Sequence, residues 1–155
     1  MKIWKRHPLA QSAPNLFRAA KENDLLGLER FIIEGHNIDA KDERGYSPLM
    51  LAAYAGHEEA ATILLAHGAN PNTTDDAGNS VLMGAAFKGH LAIVQKLVEA
   101  GARIEHRNQN GMEAIHFASA FGRKQVCDWL VAHSGRTKTP KRLASLLNVA
   151  KSLFK

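Results

Sequence analysis

Gly45-Tyr46-Ser47-Pro48-Leu49-Met50-Leu51-Ala52-Ala53 is the stretch that decides how this chain is read. A close version returns 33 residues later as Gly78-Asn79-Ser80-Val81-Leu82-Met83-Gly84-Ala85-Ala86. A third stands 33 further on, as Gly111-Met112-Glu113-Ala114-Ile115-His116-Phe117-Ala118-Ser119. Recurrence at a fixed period of this size marks repeated structural units, each one supersecondary element long.

Outward from that stretch, each unit carries the same punctuation. Asp42-Glu43-Arg44-Gly45 is a tight turn, with Asp favouring its start and Gly supplying a positive φ. Ser47 is placed to cap a helix and Pro48 to occupy its first position. Leu49, Ala52 and Ala53 face a core, and Gly56-His57 turns the chain. Ala60, Ala61, Ile63, Leu64 and Leu65 line a second helix that ends at Gly68-Ala69-Asn70. Residues 75–107 and 108–140 follow the same plan, with mid-unit glycines at Gly89 and Gly122. In the last of them the closing glycine is displaced, Ser134 standing where it is expected and Gly135 following.

Residues 9–41 carry a weaker copy. Leu16, Phe17, Ala19 and Ala20 are apolar at helical spacing, and Asn23-Asp24 interrupts them. Leu25, Leu28, Phe31 and Ile32 form a second stripe, closed by Gly35. At the other end, Thr139-Pro140 starts a basic amphipathic helix over 141–155, whose apolar stripe is Leu143, Leu146, Leu147, Ala150, Leu153 and Phe154. Residues 1–8 read as a flexible basic segment.

These matches resemble the ankyrin repeat, whose pattern runs Asp-x-x-Gly-x-Thr-Pro-Leu-His-x-Ala-Ala, then Gly-His, then a Leu-rich helix ending Gly-Ala-Asp/Asn. Residues 42–74 match nearly throughout, with Ser47 for Thr and Met50 for His. Residues 75–107 depart at Val81, Met83 and Gly84, and residues 108–140 at Glu113, Ala114 and Ser119. The resemblance implies an all-α solenoid of stacked helix-turn-helix units joined by β-turn hairpin loops. Its units are a capping repeat at 9–41 and full repeats at 42–74, 75–107 and 108–140, with the C-terminal helix as a second cap. One helix pair cannot bury its apolar faces alone, so neighbours must stack.

Composition narrows the function classes. Hydrophobic residues at 45% and charged residues at 23% are ordinary soluble globular composition. The net charge of +5 is unevenly spread. Residues 19–133 hold 10 of the 20 Lys and Arg and all 15 acids, so the body is about −5 and the ends supply about +10. One cysteine, Cys127, forbids an intrachain disulfide and suits a reducing compartment. The charges of residues 1–8 are not followed by the apolar run of a signal peptide, and no stretch reaches the roughly 18 apolar residues of a membrane span. The expected setting is cytoplasmic.

Catalysis finds no footing. No phosphate loop, nucleophile elbow, His-x-x-x-His or Cys-x-x-Cys pair is present. Cys127 sits at a core phase, and the resemblance makes His57, His90 and His116 structural, bonding backbone in turns. The expectation is a non-enzymatic monomer with no cofactor, metal or catalytic residue.

Binding is the stronger reading. The resemblance implies that hairpin tips and the exposed side of each first helix grip a partner protein. The tips fall at Lys41, Glu43, Arg44 and Tyr46, at Thr74, Asp76, Ala77 and Asn79, and at Arg107, Gln109, Asn110 and Met112. The helix positions fall at Tyr54 and Ala55, Phe87 and Lys88, and Ala120 and Phe121. Folding does not require these sites to be apolar, yet Tyr46, Tyr54, Phe87, Met112 and Phe121 occupy them, the composition of an interface hot spot. The candidate partner-binding set is therefore Arg44, Tyr46, Tyr54, Asn79, Phe87, Lys88, Arg107, Met112 and Phe121. An enzyme supported or occluded by this chain is one such partner. The alternative is a basic-tailed scaffold for nucleic acid or an anionic membrane surface, though no nucleic-acid motif is present.

Overall fold

A computed structural model describes residues 15–135. The basic segment 1–8 and the helix expected over 141–155 lie outside the described residues. Eight helices are described, in four pairs. They are α1 (Leu16–Glu22), α2 (Leu25–Ile33), α3 (Pro48–Ala55), α4 (Glu58–Ala66), α5 (Val81–Lys88), α6 (Leu91–Glu99), α7 (Ala114–Ala120) and α8 (Lys124–His133). The first helices form an inner row, α1 on α3 on α5 on α7, and the second helices form an outer row. The result is an all-α repeat solenoid; among the described residues the only β pairing is one isolated bridge, Thr74 to Ser80.

Each element follows from its residues. The Ser47 hydroxyl accepts the Met50 N–H and the Ser80 hydroxyl accepts the Met83 N–H, so the first turns of α3 and α5 are capped. Pro48 needs no intrahelical partner at its position. The Ala52-Ala53 and Ala85-Ala86 pairs are fully buried where inner helices meet. Their small side chains let helix axes close up, while Leu49, Leu64, Leu82, Leu97, Phe117 and Leu130 fill the space between rows. The displaced Gly135 has a simple consequence: α8 runs ten residues, one more than α4 and α6.

The loops are built by one repeated device. The Asp42 carboxylate accepts the N–H groups of Arg44 and Tyr46. Asp75 does the same for Ala77 and Asn79, and the Asn108 side-chain carbonyl for Asn110 and Met112. The carboxylates of Asp42 and Asp75 are thus engaged by the backbone of their own turns.

A second device ties each unit to the one before it. His57 Nε2 donates to the Lys21 carbonyl at 2.8 Å. The His90 ring bonds the Tyr54 backbone, and Arg123 Nε donates to the Phe87 carbonyl at 2.9 Å. The three ties share a 36-residue spacing, and Arg123 stands where the earlier repeats have histidine. Gly56 explains the glycine before that histidine. It sits at φ +83°, and a Cβ there would lie 2.6 Å from the His90 ring of the next repeat. A bare α-carbon is what lets the ring cross it.

Two predictions arise from the ties. Arg123→Ala leaves the Phe87 carbonyl without this donor and lowers unfolding free energy by about 1 kcal/mol, whereas Arg123→His retains most of it; urea titration followed by circular dichroism distinguishes them. For His90, burial foremost holds the imidazole below its ordinary pKa, with Lys88 and Arg123 adding to the effect against the pull of the Tyr54 carbonyl. The unfolded chain then binds the proton more readily than the folded one. Stability therefore falls as pH drops through and below the ordinary histidine value of about 6.5, and His90→Gln flattens that slope. Midpoints of thermal melts between pH 5 and pH 8 read it directly.

Candidate binding face

The loops and the inner helices share one face, and its aromatic residues touch. Tyr54 on α3 and Phe87 on α5 are stacked, with centroids 5.9 Å apart and planes at 15°. Phe87 meets Phe121, just past the end of α7, edge to face at 4.5 Å and 82°. Lys88 Nζ lies 4.8 Å from the centroid of the Tyr54 ring, within cation–π range. Tyr54 is the most open ring of the row at 37% exposed, while Phe87 and Phe121 are half-buried and pack on the core. Such a ladder holds rings in fixed positions at little further entropic cost on binding.

Beside the ladder is a hollow of about 180 Å³ between the first and second loops and helices α3 and α5. Arg44, Tyr46, Met50, Leu51, Tyr54 and Gly84 are among its lining residues. Tyr46 is half-buried; burial pushes its phenol above the ordinary pKa, and the Asp75 carboxylate adds to that. Gly84 is the source of the space. The matching positions one repeat away on either side hold Leu51 and Phe117. A Cβ on Gly84 would meet only the Tyr54 ring, at 3.6 Å, an ordinary contact. Gly84→Ala is therefore expected to stabilise the chain by about 0.5–1 kcal/mol through helix propensity alone, read by urea titration.

The expected set divides. Arg44, Tyr46, Tyr54, Phe87, Lys88 and Phe121 are gathered around the ladder and the hollow. Met112 does not belong with them. It is 0% exposed, and its unbranched side chain turns into the core at the phase where Tyr46 keeps its phenol partly in water. Asn79 is also buried; its amide donates to Asp75 and accepts from Asn108 Nδ2, joining the second and third loops. Arg107 is exposed but pairs at 3.0 Å with Glu113, whose carboxylate is almost wholly buried. Met50 and Met83, which stand in place of histidine, are core residues, Met50 also lining the hollow.

Other chemistry has little purchase. Burial raises the Cys127 thiol above its ordinary pKa, the reverse of what a nucleophile requires. His116 Nδ1 accepts the Glu113 N–H. Among the described residues no three His, Cys, Asp or Glu side chains gather as a metal site would, and no helix is long and apolar enough to cross a membrane. Outside the ladder, the described surface has one further apolar feature: Leu26 and Ile33, one face of α2, are 80% and 83% exposed. The tie at Arg123 escaped the sequence reading because its pattern specifies histidine; the signal was its 36-residue offset from Phe87.

Comparison with known proteins agrees with this architecture. The family described as "Ankyrin repeats (3 copies)" matches residues 16–108 and again 82–154. A search of curated proteins gave no match. Ankyrin repeats serve in general as protein–protein interaction modules and are typically non-enzymatic. With its 33-residue units, paired helices, capped turns and inter-repeat ties, this chain belongs to the ankyrin repeat family.

Proposed function

We propose that this chain is a non-enzymatic, monomeric, cytoplasmic binding protein that grips one partner protein through the concave face of its loops and inner helices. The observation that carries the reading is the contiguous ladder of Tyr54, Phe87 and Phe121, flanked by Lys88 and Arg44. The repeat does not require rings at these positions: Ala120 stands at the phase of Tyr54 and Phe87, and Ala55 at that of Phe121. A row of part-exposed rings beside charges is what interface hot spots are made of. An enzyme that the chain supports or occludes is the partner class this reading favours.

Affinity capture of the tagged full chain from its native cells, with mass spectrometry, tests it. A partner recovered by the wild type and lost with Tyr54→Ala/Phe87→Ala supports the reading. Equal recovery by both sinks it. Recovery that collapses between 50 and 200 mM salt, and that depends on residues 1–8 and 136–155 instead, would transfer the function to the basic ends.

A further inference from the structure

Leu26 and Ile33 stand two turns apart on one face of α2 and are 80% and 83% exposed. The later outer helices fill the same phase differently. Glu59 and Ala66, Ala92 and Glu99, and Gln125 and Ala132 hold it, all exposed and all polar or small. The phase is therefore the outer surface of the array and not the seam between units. Among the described units only the first makes it strongly apolar.

The size of this face argues against a second copy. Two aliphatic side chains offer a few hundred Å² at most, well short of the roughly 800 Å² per partner that a stable interface buries. A segment tethered beside the face needs far less, because the tether sets its local concentration. Residues 1–14 are so tethered. They lead into Asn15, which caps α1, and a two-residue connection returns the chain antiparallel as α2, bringing Ile33 toward the Asn15 end. Trp4 precedes Asn15 by eleven residues, an extended reach of about 36 Å. The path across to α2 and along it to Leu26 is about 25 Å. Ile3, Trp4 and Leu9 are the sizeable apolar residues of the segment. Residues 136–155, by contrast, leave from α8, three outer helices away from α2.

Charge matches as well. Residues 1–14 carry Lys2, Lys5 and Arg6 and no acid. Residues 15–66, the first two helix pairs, carry nine acids against five Lys and Arg, whereas residues 67–135 carry six of each. On the face itself Glu29 lies between Leu26 and Ile33, exposed and, among the described residues, paired with no cation. Arg30, the one Lys or Arg of α2, is held by Glu34.

We infer that residues 1–14 fold back over the outer face of α2, with Trp4 against Leu26 and Ile33 and the basic side chains toward Glu29. The inference is independent of the concave-face reading. It makes the basic N-terminal segment a cover for the first unit, engaged within its own chain, and not a free arm for nucleic acid or lipid.

Tryptophan fluorescence of the full chain tests it. Trp129→Phe leaves Trp4 as the sole indole, and a thermal melt checks that this variant stays folded. Trp4 is expected to emit at shorter wavelength than in urea and to be quenched by acrylamide severalfold less. Leu26→Ser/Ile33→Ser, at exposed positions, is expected to return both readings to their urea values while circular dichroism shows the chain still folded. Trp4 emission in the native chain equal to that in urea overturns the inference. So does a shielded Trp4 that Leu26→Ser/Ile33→Ser leaves shielded, since its contact is then elsewhere. Shielding that fades on dilution gives the face to a second copy and overturns it too.

Discussion

Replacing Phe117 by alanine is expected to cost about 3–5 kcal/mol of unfolding free energy. Phe117 is the largest of the fully buried side chains and stands on α7, which packs on both α5 and α8. Its removal leaves a void that helices fixed on two sides cannot close. Since a domain of this size has about 5–15 kcal/mol in all, the loss is a large share of the total. The melting midpoint should fall by about 6–20 °C. Because units contact only their neighbours, the loss falls on the last described pair, and α7 and α8 should come apart before the rest. Urea titrations followed by far-ultraviolet circular dichroism would then show a broadened or two-step transition. Phe117→Leu, which retains most of the volume, should cost about a third as much. A Phe117→Ala cost below about 1 kcal/mol contradicts the packing described.

The second large effect concerns binding. Tyr54→Ala is expected to weaken the partner by at least about thirtyfold, the equivalent of a 2 kcal/mol hot spot. Tyr54 is the right probe because it is the open end of the ladder, 37% exposed, and its loss leaves little void. Phe87→Ala should weaken binding as well, but Phe87 also packs on the core, so part of its effect is folding. Stacked at 5.9 Å, the two rings are coupled, and the double variant should lose less than the sum of the singles. Calorimetric titration of the captured partner against all three variants measures this. Tyr54→Ala binding within a factor of two of wild type removes the ladder from the interface.

The two experiments draw on parts of the molecule that were unequally visible in the sequence. Turns, caps and helix pairs were legible because each depends on residues within four positions of one another. Asp42 and its turn N–H groups, or Ser47 and the Met50 N–H, are local events. The ladder was half legible: the phase of Tyr54 and Phe87 located them on one face, but ring contacts depend on helix spacing. Met112 was misplaced because the phase of a tip residue does not fix whether its side chain turns out or in, and a flexible thioether takes the inward course. The hollow was not legible at all. Gly84 stood out only as a departure from a pattern, and its meaning came from Tyr46, Leu51 and Tyr54 converging around the space it vacates.

The ties of His57, His90 and Arg123 bear on how such a molecule can change size. In each the donor is a side chain but the acceptor is a backbone carbonyl, of Lys21, Tyr54 and Phe87 in turn. A carbonyl is offered by any residue, so the join specifies where a unit sits and is blind to what its predecessor carries there. Lysine, tyrosine and phenylalanine serve equally there. A duplicated unit would find its join already made, and one removed would leave its flanks able to meet. Recognition side chains and joining carbonyls thus share the inner helices, while the joining side chains stand at the starts of the outer ones. The array can lengthen, shorten or exchange its binding row while the seam between units stays the same.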